Sequence, residues 1–556
     1  MTDEGLRGTH AAASWEAGSF GTQRLTLAAR HLFTPSGLFL RAEGFLDRAE
    51  NDYPMTVQDV QLDEEGHVGT VRVRRFHDAY AAGGGSAELG LVDRSWARRL
   101  LLRFHANRQD KEIPHSPAMT VPYGEVTYAE QGVGTTLRYE APAGRRLAAR
   151  VLLGAAATRG HFLDVSACVY DWYGRCVTRN ETGGEIGDAP HDQLLREQAL
   201  FGRVELGWRL HPDHQLRLFL APTAVRRTGD ERLQTTASDP LSGRRDLRSL
   251  VSGLEYEADL VEGRLEAIAF LKHYLQEQRA QELVAEDTFA ERDRTIRELG
   301  GGAALRFDLA PGLRAKASYE RATRLPGPDE VFGDGVLVHE NLELRPEVSH
   351  NLNLALQVER GSTGAGALVG EAGAFLRDAD DLIILLGINN DQSYQNVYSA
   401  RSVGVQGALR WTAPGDWLEL DASGTYQDFR NTSDTGTFAR QEGDRIPNRP
   451  YLFGAGGALV RWAGLRRGDD ELSLSWTWRY VHEFYRTWES LGQGGGKQVI
   501  PSQFVQGLSA GYRCQGGWGA LSVALEAQNL TDAAAYDTFG VPRPGRGFYL
   551  KTTLER

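Results

Sequence analysis

The stretch Gln528–Arg556 reads QNLTDAAAYDTFGVPRPGRGFYLKTTLER. A middle rich in Pro and Gly separates the end of one strand from a final strand. In that final strand the side chains alternate between two faces, which hold Phe548, Leu550, Thr552 and Leu554 on one side and Tyr549, Lys551 and Thr553 on the other. Period two with one apolar and one polar face is typical of a strand that separates lipid from water.

The same alternation occurs in other parts of the chain. Leu472–Tyr480 places Trp476, Trp478 and Tyr480 on one face, as an interfacial aromatic girdle would. Leu313–Glu320 opposes Leu and Ala to charged side chains. A buried soluble core would not accept so many charges on the second face, whereas a water-filled or plugged lumen would. The pattern therefore favours a membrane barrel over a soluble all-β lectin or enzyme.

The composition agrees with this interpretation. The hydrophobic fraction is 41% and the mean hydropathy is -0.40, which is too polar for a helical membrane protein. The longest apolar run, Leu382–Ile388, is about a third of the ~20 residues that a spanning helix needs. Only alternate residues of a barrel face lipid, so this polarity is compatible with a membrane barrel. The net charge of -12 argues against nucleic-acid binding.

Short turns and long polar segments alternate along the chain. The short turns include Leu32–Gly37, His211–His214, Ala310–Gly312 and Gln515–Gly519. The long segments include Gly160–Leu200, Arg226–Ser249, Leu275–Arg297, Arg324–Val348 and Gly387–Ala400. Bacterial membrane barrels have short periplasmic turns and long outer loops. The sequence thus predicts an all-β, antiparallel, up-and-down transmembrane barrel of about 22 strands, a number known for outer-membrane transporters with a plugged lumen.

Four ordered segments resemble TonB-dependent outer-membrane receptors. The first is the closing hairpin, with Asn-Leu-Thr-Asp, Pro-Gly-Arg and an aromatic last strand. The others are Ala317–Asn351, Phe375–Gln406 and Lys111–Gly124. The resemblance implies a bacterial outer-membrane barrel that takes up a scarce ligand: a siderophore, metal chelate, vitamin or oligosaccharide. Fold alone does not name the ligand.

Family members begin with a globular plug and a short TonB box, and neither pattern is visible here. Strand-like residues begin at Thr9–Phe20, and Met1–His10 does not have the pattern of a signal peptide. We therefore expect residues 1–556 to form the barrel alone. The expected partners are outer-membrane lipid or lipopolysaccharide and a separate plug or other lumen-filling subunit. The TonB system is expected only if a TonB box is supplied elsewhere. The alternative is a non-transporting outer-membrane scaffold whose lumen holds a partner protein.

Cys168 and Cys176 bracket seven residues of a long outer segment. An oxidising exterior favours a disulfide there. A metal site is the alternative, but no His or third thiol lies within a few residues. Cys514 alternates with Leu508, Ala510 and Tyr512, so it is expected to face lipid.

Ligand-binding candidates lie in the outer segments. Trp172, Tyr173 and Arg175 could form a binding platform, or could simply pack their loop on itself. Arg321, Arg324 and Glu330 are candidates on the lumen side, in the second segment of the resemblance. No nucleophile elbow, phosphate loop or catalytic carboxylate pair is found, so we expect no enzyme, no catalytic or metal site and no cofactor.

Overall fold

The computed structural model describes residues 8–62, 68–117, 119–141, 144, 146–186, 189–233, 239–285, 288–334, 337–388, 391–466, 468–492 and 497–556. These residues are almost entirely strands and connections. The strands are β1 (Gly8–Gly18), β2 (Gln23–Phe33), β3 (Leu38–Ala49), β4 (Pro54–Leu62), β5 (Val68–Arg74), β6 (Tyr80–Val92), β7 (Arg99–Glu112), β8 (Thr127–Glu140), β9 (Leu147–Asp164), β10 (Cys168–Tyr170), β11 (Cys176–Arg179), β12 (His191–His211), β13 (His214–Glu231), β14 (Arg245–Leu260), β15 (Leu265–Ala285), β16 (Thr288–Ala310), β17 (Leu313–Arg324), β18 (Val338–His339), β19 (Glu347–Thr363), β20 (Gly366–Ile388), β21 (Asp391–Thr412), β22 (Leu418–Asn431), β23 (Leu452–Ala463), β24 (Glu471–Val481), β25 (Phe484–Tyr485), β26 (Val499–Ile500), β27 (Gln503–Gly516), β28 (Gly519–Gln528) and β29 (Gly547–Glu555).

Helices are few and short. Within the described ranges one α-helix, α1, spans Pro328–Phe332, and 3-10 turns span Pro240–Ser242 and Ala439–Gln441. Among the described residues, no helix has both the length and the apolar character to cross a membrane.

Twenty-two strands close into one antiparallel barrel, which confirms the predicted fold class and strand number. Neighbouring strands pair in chain order. The ring closes where β1 pairs with β29, with Trp15 opposite Thr552 and Gly18 opposite Tyr549. The strands outside the barrel, β4, β5, β10, β11, β18, β25 and β26, all lie in its outer connections.

The register gives the barrel one apolar and one polar face, because directly paired residues share a face. On β15 and β16 the outward face carries Leu271 and Leu299, whose exposed fractions are 69% and 67%. Cys514 lies opposite Leu521, in the same row as Leu554, which confirms its place on the apolar face. Trp476, Trp478 and Tyr480 lie on that face too. An exposed apolar outer surface is what a lipid-facing wall presents.

The connections differ between the two ends. At the inner end β12 turns into β13 at His211–His214, and β16 turns into β17 beside Gly312, as predicted. The predicted outer segment Leu275–Arg297 is instead almost all strand, since β15 ends at Ala285 and β16 begins at Thr288. Gly387–Ala400 differs in the same way. These strands carry polar side chains on both faces beyond the apolar belt, so the sequence has no period there that marks them as strands.

Candidate functional site

The lumen wall is hydrophilic. Ion pairs join strands on its inner face. Arg217 Nη1 lies 2.6 Å from Glu255 and Arg150 Nη1 lies 2.9 Å from Glu205, in each case on the neighbouring strand, and Lys272 Nζ on β15 reaches across β16 to Glu320 on β17 at 2.6 Å. All of these side chains are partly exposed. Pairs of this kind add little stability, because water solvates both partners. They make the inner wall a polar surface.

A segment between β17 and β19 crosses the outer mouth of the lumen. We call it the crossbar (residues 325–334 and 337–346). It begins with α1, which has Pro328 at its first position and is capped by Glu330, whose Oε2 accepts the N–H of Gly327 at 2.7 Å. Gly333 ends the helix at φ 64°, where a Cβ atom would lie 2.0 Å from the carbonyl oxygen of Val338. Only glycine permits this close approach.

The underside of the crossbar packs against the lumen wall. Val331, Phe332 and Leu344 are buried, and they form one cluster with side chains from three barrel strands. Those partners are Leu247 on β14, Ala280 on β15 and Ile383 on β20. The crossbar therefore packs on the inner faces of the neighbouring strands β14 and β15 and of β20, which lies four strands further around the ring.

Polar anchors on the same wall hold the crossbar backbone. Arg227 is buried on the inner face of β13, where its guanidinium donates to the Gly333 carbonyl oxygen at 2.9 Å and also pairs with Asp329. Gln276 Nε2 on β15 donates to the Pro326 carbonyl oxygen at 3.0 Å. Arg245 Nε on β14 donates to Glu340 at 3.0 Å. Buried anchors of this kind fix the crossbar in one position, because a lost partner would leave a desolvated polar group.

The far side of the crossbar reaches other loops. Leu337 packs against a cluster of Tyr123, Val126 and Ile186, which belongs to the connections after β7 and β9. Val338 and His339 pair in parallel with the outer end of β21. The crossbar thus joins opposite parts of the rim and narrows the mouth.

Two predicted site residues meet at the base of the crossbar. Arg324 Nη1 donates to both Glu330 carboxylate oxygens at 2.8 and 2.9 Å, and Arg324 Nη2 donates to Glu347 at 2.6 Å. Glu347 also accepts the Ile383 N–H at 2.9 Å. The guanidinium of Arg324 therefore binds two carboxylates, Glu330 in α1 and Glu347 just after the end of the crossbar. Whether a ligand touches these residues stays a prediction.

Arg321 does not share this position. It lies two residues beyond Tyr319 and is paired with Gly301 and His350, which places it on the outward face. The expectation that it faces the lumen is wrong, because strand period two sends Arg321 and Arg324 to opposite faces.

The disulfide between Cys168 and Cys176 is present, with Cα atoms 5.4 Å apart. It closes the stapled hairpin, which consists of β10, β11 and the turn between them. Trp172 is buried in a cluster with Tyr53, Met55 and Val73, so its ring lies inside the packed loops. Tyr173 remains 59% exposed.

The exposed tip of the stapled hairpin is small. The Arg175 guanidinium lies 5.1 Å from the centre of the Tyr173 ring and pairs with Asp171 at 2.6 Å. Of the three candidate platform residues, only Tyr173 and Arg175 are open to a solute. Their role in ligand binding is still a prediction.

A carboxylate joins two outer connections beside the stapled hairpin. Glu185 accepts the N–H groups of Gly124 at 2.6 Å and Glu125 at 2.8 Å. Its own N–H donates to Asp164 at 2.6 Å. Burial raises the pKa of Glu185 to about 7, and the nearby carboxylates add to this, against the effect of the two N–H donors. The Glu185 carboxyl group in this contact therefore gains or loses its proton near neutral pH.

The anchors Arg227, Arg245 and Gln276 were missed at the sequence level. Arg227 and Arg245 fall inside the predicted outer segment Arg226–Ser249, whereas β13 continues to Glu231 and β14 begins at Arg245. A signal was present, since Arg227 and Glu231 share one face at even spacing. Nothing in the sequence pairs that face with a helix a hundred residues away.

The comparison with known protein families agrees with the barrel seen in the structure. Residues 278–530 match the family described as TonB dependent receptor-like, beta-barrel. Among curated protein sequences, none matches the chain.

Solved structures match over nearly the whole chain. The copper transporter OprC matches with TM-score 0.72 at 18% identity, covering 99% of this chain and 80% of its own. The FrpB iron transporter of Neisseria meningitidis matches with TM-score 0.73 at 11% identity, covering 100% and 82%. The siderophore receptor PiuA of Acinetobacter baumannii matches with TM-score 0.71 at 13% identity, covering 99% and 82%. At such identities the likeness shows the fold alone.

Proposed function

We propose that this chain, which carries the β-barrel of a TonB-dependent receptor, is a bacterial outer-membrane transporter that takes up a scarce metal or metal chelate. The family and its structural neighbours are receptors and transporters rather than enzymes.

The observation that carries the proposal is a polar lumen whose mouth is narrowed by an anchored segment. A ring of 22 strands is too wide for its own side chains to fill. The crossbar covers part of the opening and leaves the polar wall below it free for a solute. An inert scaffold would not need a polar passage beneath a fixed constriction.

The ligand class rests on the neighbours. The proteins matched are described as a copper transporter, an iron transporter and a siderophore receptor. A vitamin or an oligosaccharide is the other class that such a barrel could carry. We assign first contact with the ligand to the exposed Tyr173 and Arg175, which lie at the outer rim above the lumen.

A lumen-filling element is part of the proposal. An unfilled ring of this width leaks, so we propose that a plug closes it, either as a further domain or as a separate subunit. Coupling to the TonB system would require a TonB box on that element. The barrel described here supplies the wall and the outer loops.

Reconstitution of residues 1–556 in a planar lipid bilayer tests the proposal. We expect a large, steady conductance that is independent of voltage sign. Ferric siderophores and copper complexes added on the loop side should reduce this conductance, whereas cobalamin and maltooligosaccharides should not. A wall that inserts but conducts nothing would contradict the open polar passage. A conductance that no metal chelate reduces would contradict the ligand class and favour the scaffold.

A double variant distinguishes the contribution of the loop residues to ligand binding from that of the barrel wall. Tyr173→Ala combined with Arg175→Gln should weaken the block by metal chelates roughly tenfold, as loss of an aromatic and a charged contact predicts. The conductance without ligand should not change. Arg179→Gln, which lies on the same hairpin outside the turn, is the matched control.

A further inference from the structure

Arginines mark the outer edge of the apolar belt on one side of the barrel. On seven of the nine barrel strands from β7 to β17, the first charged residue beyond the outward apolar run is an arginine. These residues are Arg108, Arg159, Arg196, Arg226, Arg248, Arg297 and Arg321. The exceptions are β15, where it is Glu277, and β8, which has no charged residue there. We call this set the basic arc.

Two of these arginines lie directly opposite each other. Arg159 on β9 pairs in register with Arg196 on β12, and both are exposed. Like charges directly opposite on neighbouring strands destabilise a sheet. Within the described ranges, the structure gives neither guanidinium an ion pair or a hydrogen bond. An arrangement with this cost is explained if an anion binds between the two guanidinium groups.

The neighbouring arginines show the contrast. Arg108 donates to Asp110 at 2.8 and 3.0 Å, and Arg226 donates to Asp246 at 2.8 Å. These two are neutralised by carboxylates on the outer wall. Arg248, like Arg159 and Arg196, has no such partner among the residues described. Arg297 on β16 also has no such partner among the residues described, but it lies outside the two grooves considered next. Among the arginines that line those grooves, the unneutralised positive charge lies on β9, β12 and β14.

Two adjoining grooves lie on the outer wall at this place, each with a volume of about 660 Å³. Arg108, Arg159 and Arg196 line the first groove together with Gln131 and Gln198. The second is lined by Phe104, Val133, Leu200 and Ala224, with Arg226 and Arg248 at its upper edge. Val133, Ala157 and Gln198 belong to both. The surface is therefore cationic above and apolar below.

We propose that the basic arc binds a phosphorylated glycolipid of the outer leaflet, lipopolysaccharide, with its phosphates on Arg159, Arg196 and Arg248 and its acyl chains along the grooves below. Guanidinium groups bind phosphate through paired N–H donors. A free phosphate would use the arginines but not the apolar grooves, so the two-part surface points to a lipid. This inference rests on the proposed function, because it requires the barrel to lie in an outer membrane.

Binding of purified lipid A to the detergent-solubilised barrel tests the inference. Native mass spectrometry should show lipid A bound to the wild-type barrel. Arg159→Gln combined with Arg196→Gln should weaken this binding roughly tenfold or more, because two charged phosphate contacts are lost. The matched control is Arg48→Gln, an exposed arginine on the outward face of β3 whose nearest carboxylate is Glu50 at 3.7 Å.

Two further probes identify the part of the lipid that is recognised. Lipid A stripped of its phosphates should bind wild type and the double variant equally weakly. Inorganic phosphate at millimolar concentration should not displace intact lipid A. Equal binding of lipid A by the double variant and by wild type would overturn the inference. Displacement by inorganic phosphate would also overturn it, in favour of a site for a soluble anion.

The failure of this inference can be told from the failure of the proposed function. Insertion into lipid vesicles and the conductance described above report on the barrel as a transporter. A double variant that inserts and conducts like wild type but loses lipid A supports the inference. If the double variant inserts, conducts and binds lipid A like wild type, only the inference is contradicted. A chain that never inserts contradicts both.

Discussion

The crossbar and the stapled hairpin both lie at the mouth of the barrel, but different forces hold them. The crossbar contains no cysteine and so no disulfide, and its Val331, Phe332 and Leu344 are buried against the lumen wall. The stapled hairpin has a disulfide, and every residue of β11 is exposed. The crossbar is fixed by burial, whereas the stapled hairpin is fixed by a bond together with one buried side chain, Trp172.

This difference separates a fixed part of the mouth from an adaptable part. Segments with few buried contacts open at low free energy, whereas segments in a packed core open only at much higher free energy. The crossbar is therefore expected to keep the width of the mouth constant. The tip of the stapled hairpin, with Tyr173 and Arg175, is expected to adapt to a solute.

The largest expected effect comes from removing the buried anchor of the crossbar. Arg227→Met leaves Glu197 without the guanidinium that now lies 2.6 Å away, and leaves the Gly333 carbonyl oxygen without its donor. Breaking a buried ion pair costs about 3–5 kcal/mol, and partial exposure of Glu197 and Asp329 places this case near about 3 kcal/mol. Hydrogen exchange of the amides of residues 325–334 should accelerate, and the bilayer conductance should rise.

Arg226→Met is the control for this variant. Arg226 is the preceding residue on β13 but faces outward, where it pairs with Asp246 at 2.8 Å in an exposed position. Its loss should cost less than about 1 kcal/mol. Equal acceleration of crossbar exchange in both variants would show that the crossbar is not held by Arg227.

The second prediction concerns the disulfide. Cys168→Ser combined with Cys176→Ser should destabilise the stapled hairpin by about 2–3 kcal/mol, the loop entropy for a separation of this size. Trypsin should then cleave after Arg175 and Arg179 roughly thirtyfold faster or more. The crossbar should be unaffected, since Trp172 in the turn still packs against its cluster and the Glu185 contact still joins the neighbouring connections.

Cys514→Ala is the matched control, because Cys514 lies on the lipid face far from the loops. It should leave the rate of cleavage unchanged. If the double serine variant is also cleaved at the wild-type rate, the hairpin is held by packing rather than by the bond, and the contrast with the crossbar disappears.

The wall could be predicted from the sequence because lipid and water impose period two on every spanning strand. The alternation in Leu472–Tyr480 and in the last strand gave the faces, and the spacing of the turns gave the strand number. The alternation of apolar and polar side chains is absent where both faces of a strand contact water. For that reason the sequence predicts loops at the outer halves of β15, β16, β20 and β21, where the structure has strands.

The candidate site was predicted in part. The resemblance drew attention to Arg324 and Glu330, which do meet, because a short turn of helix brings residues six apart together. The pairing of Arg227 with Asp329 joins residues far apart in the chain, and no local pattern encodes it. For Trp172 the sequence leaves open a binding platform or packing of its loop on itself, and the structure buries the ring against side chains of other loops.

The smallest predicted effect concerns pH, and it acts where the adaptable part of the mouth joins its neighbour. The pKa of Glu185 is about 7 in the folded protein, above its ordinary value, mainly because of burial. A carboxyl group with a raised folded pKa stabilises the contact fully below its unfolded pKa, and this stabilisation is lost as pH rises through about 7. The contact between Glu185 and the Gly124 and Glu125 N–H groups should therefore weaken between pH 5 and pH 8. Because Glu185 is only about half buried, the change should be below about 1 kcal/mol.

Hydrogen exchange of the Gly124 and Glu125 amides, corrected for the intrinsic pH dependence, measures this change. In wild type their protection should be greater at pH 5 than at pH 8. Glu185→Gln does not titrate, so the protection of each amide should be the same at both pH values. Its single amide oxygen replaces only one of the two carboxylate oxygens that accept the Gly124 and Glu125 N–H groups, so the protection of the other amide should be low throughout. Crossbar amides should not respond to pH in either protein. Greater protection at pH 8 in wild type would mean that the charged carboxylate is the better acceptor here and that burial does not govern this contact.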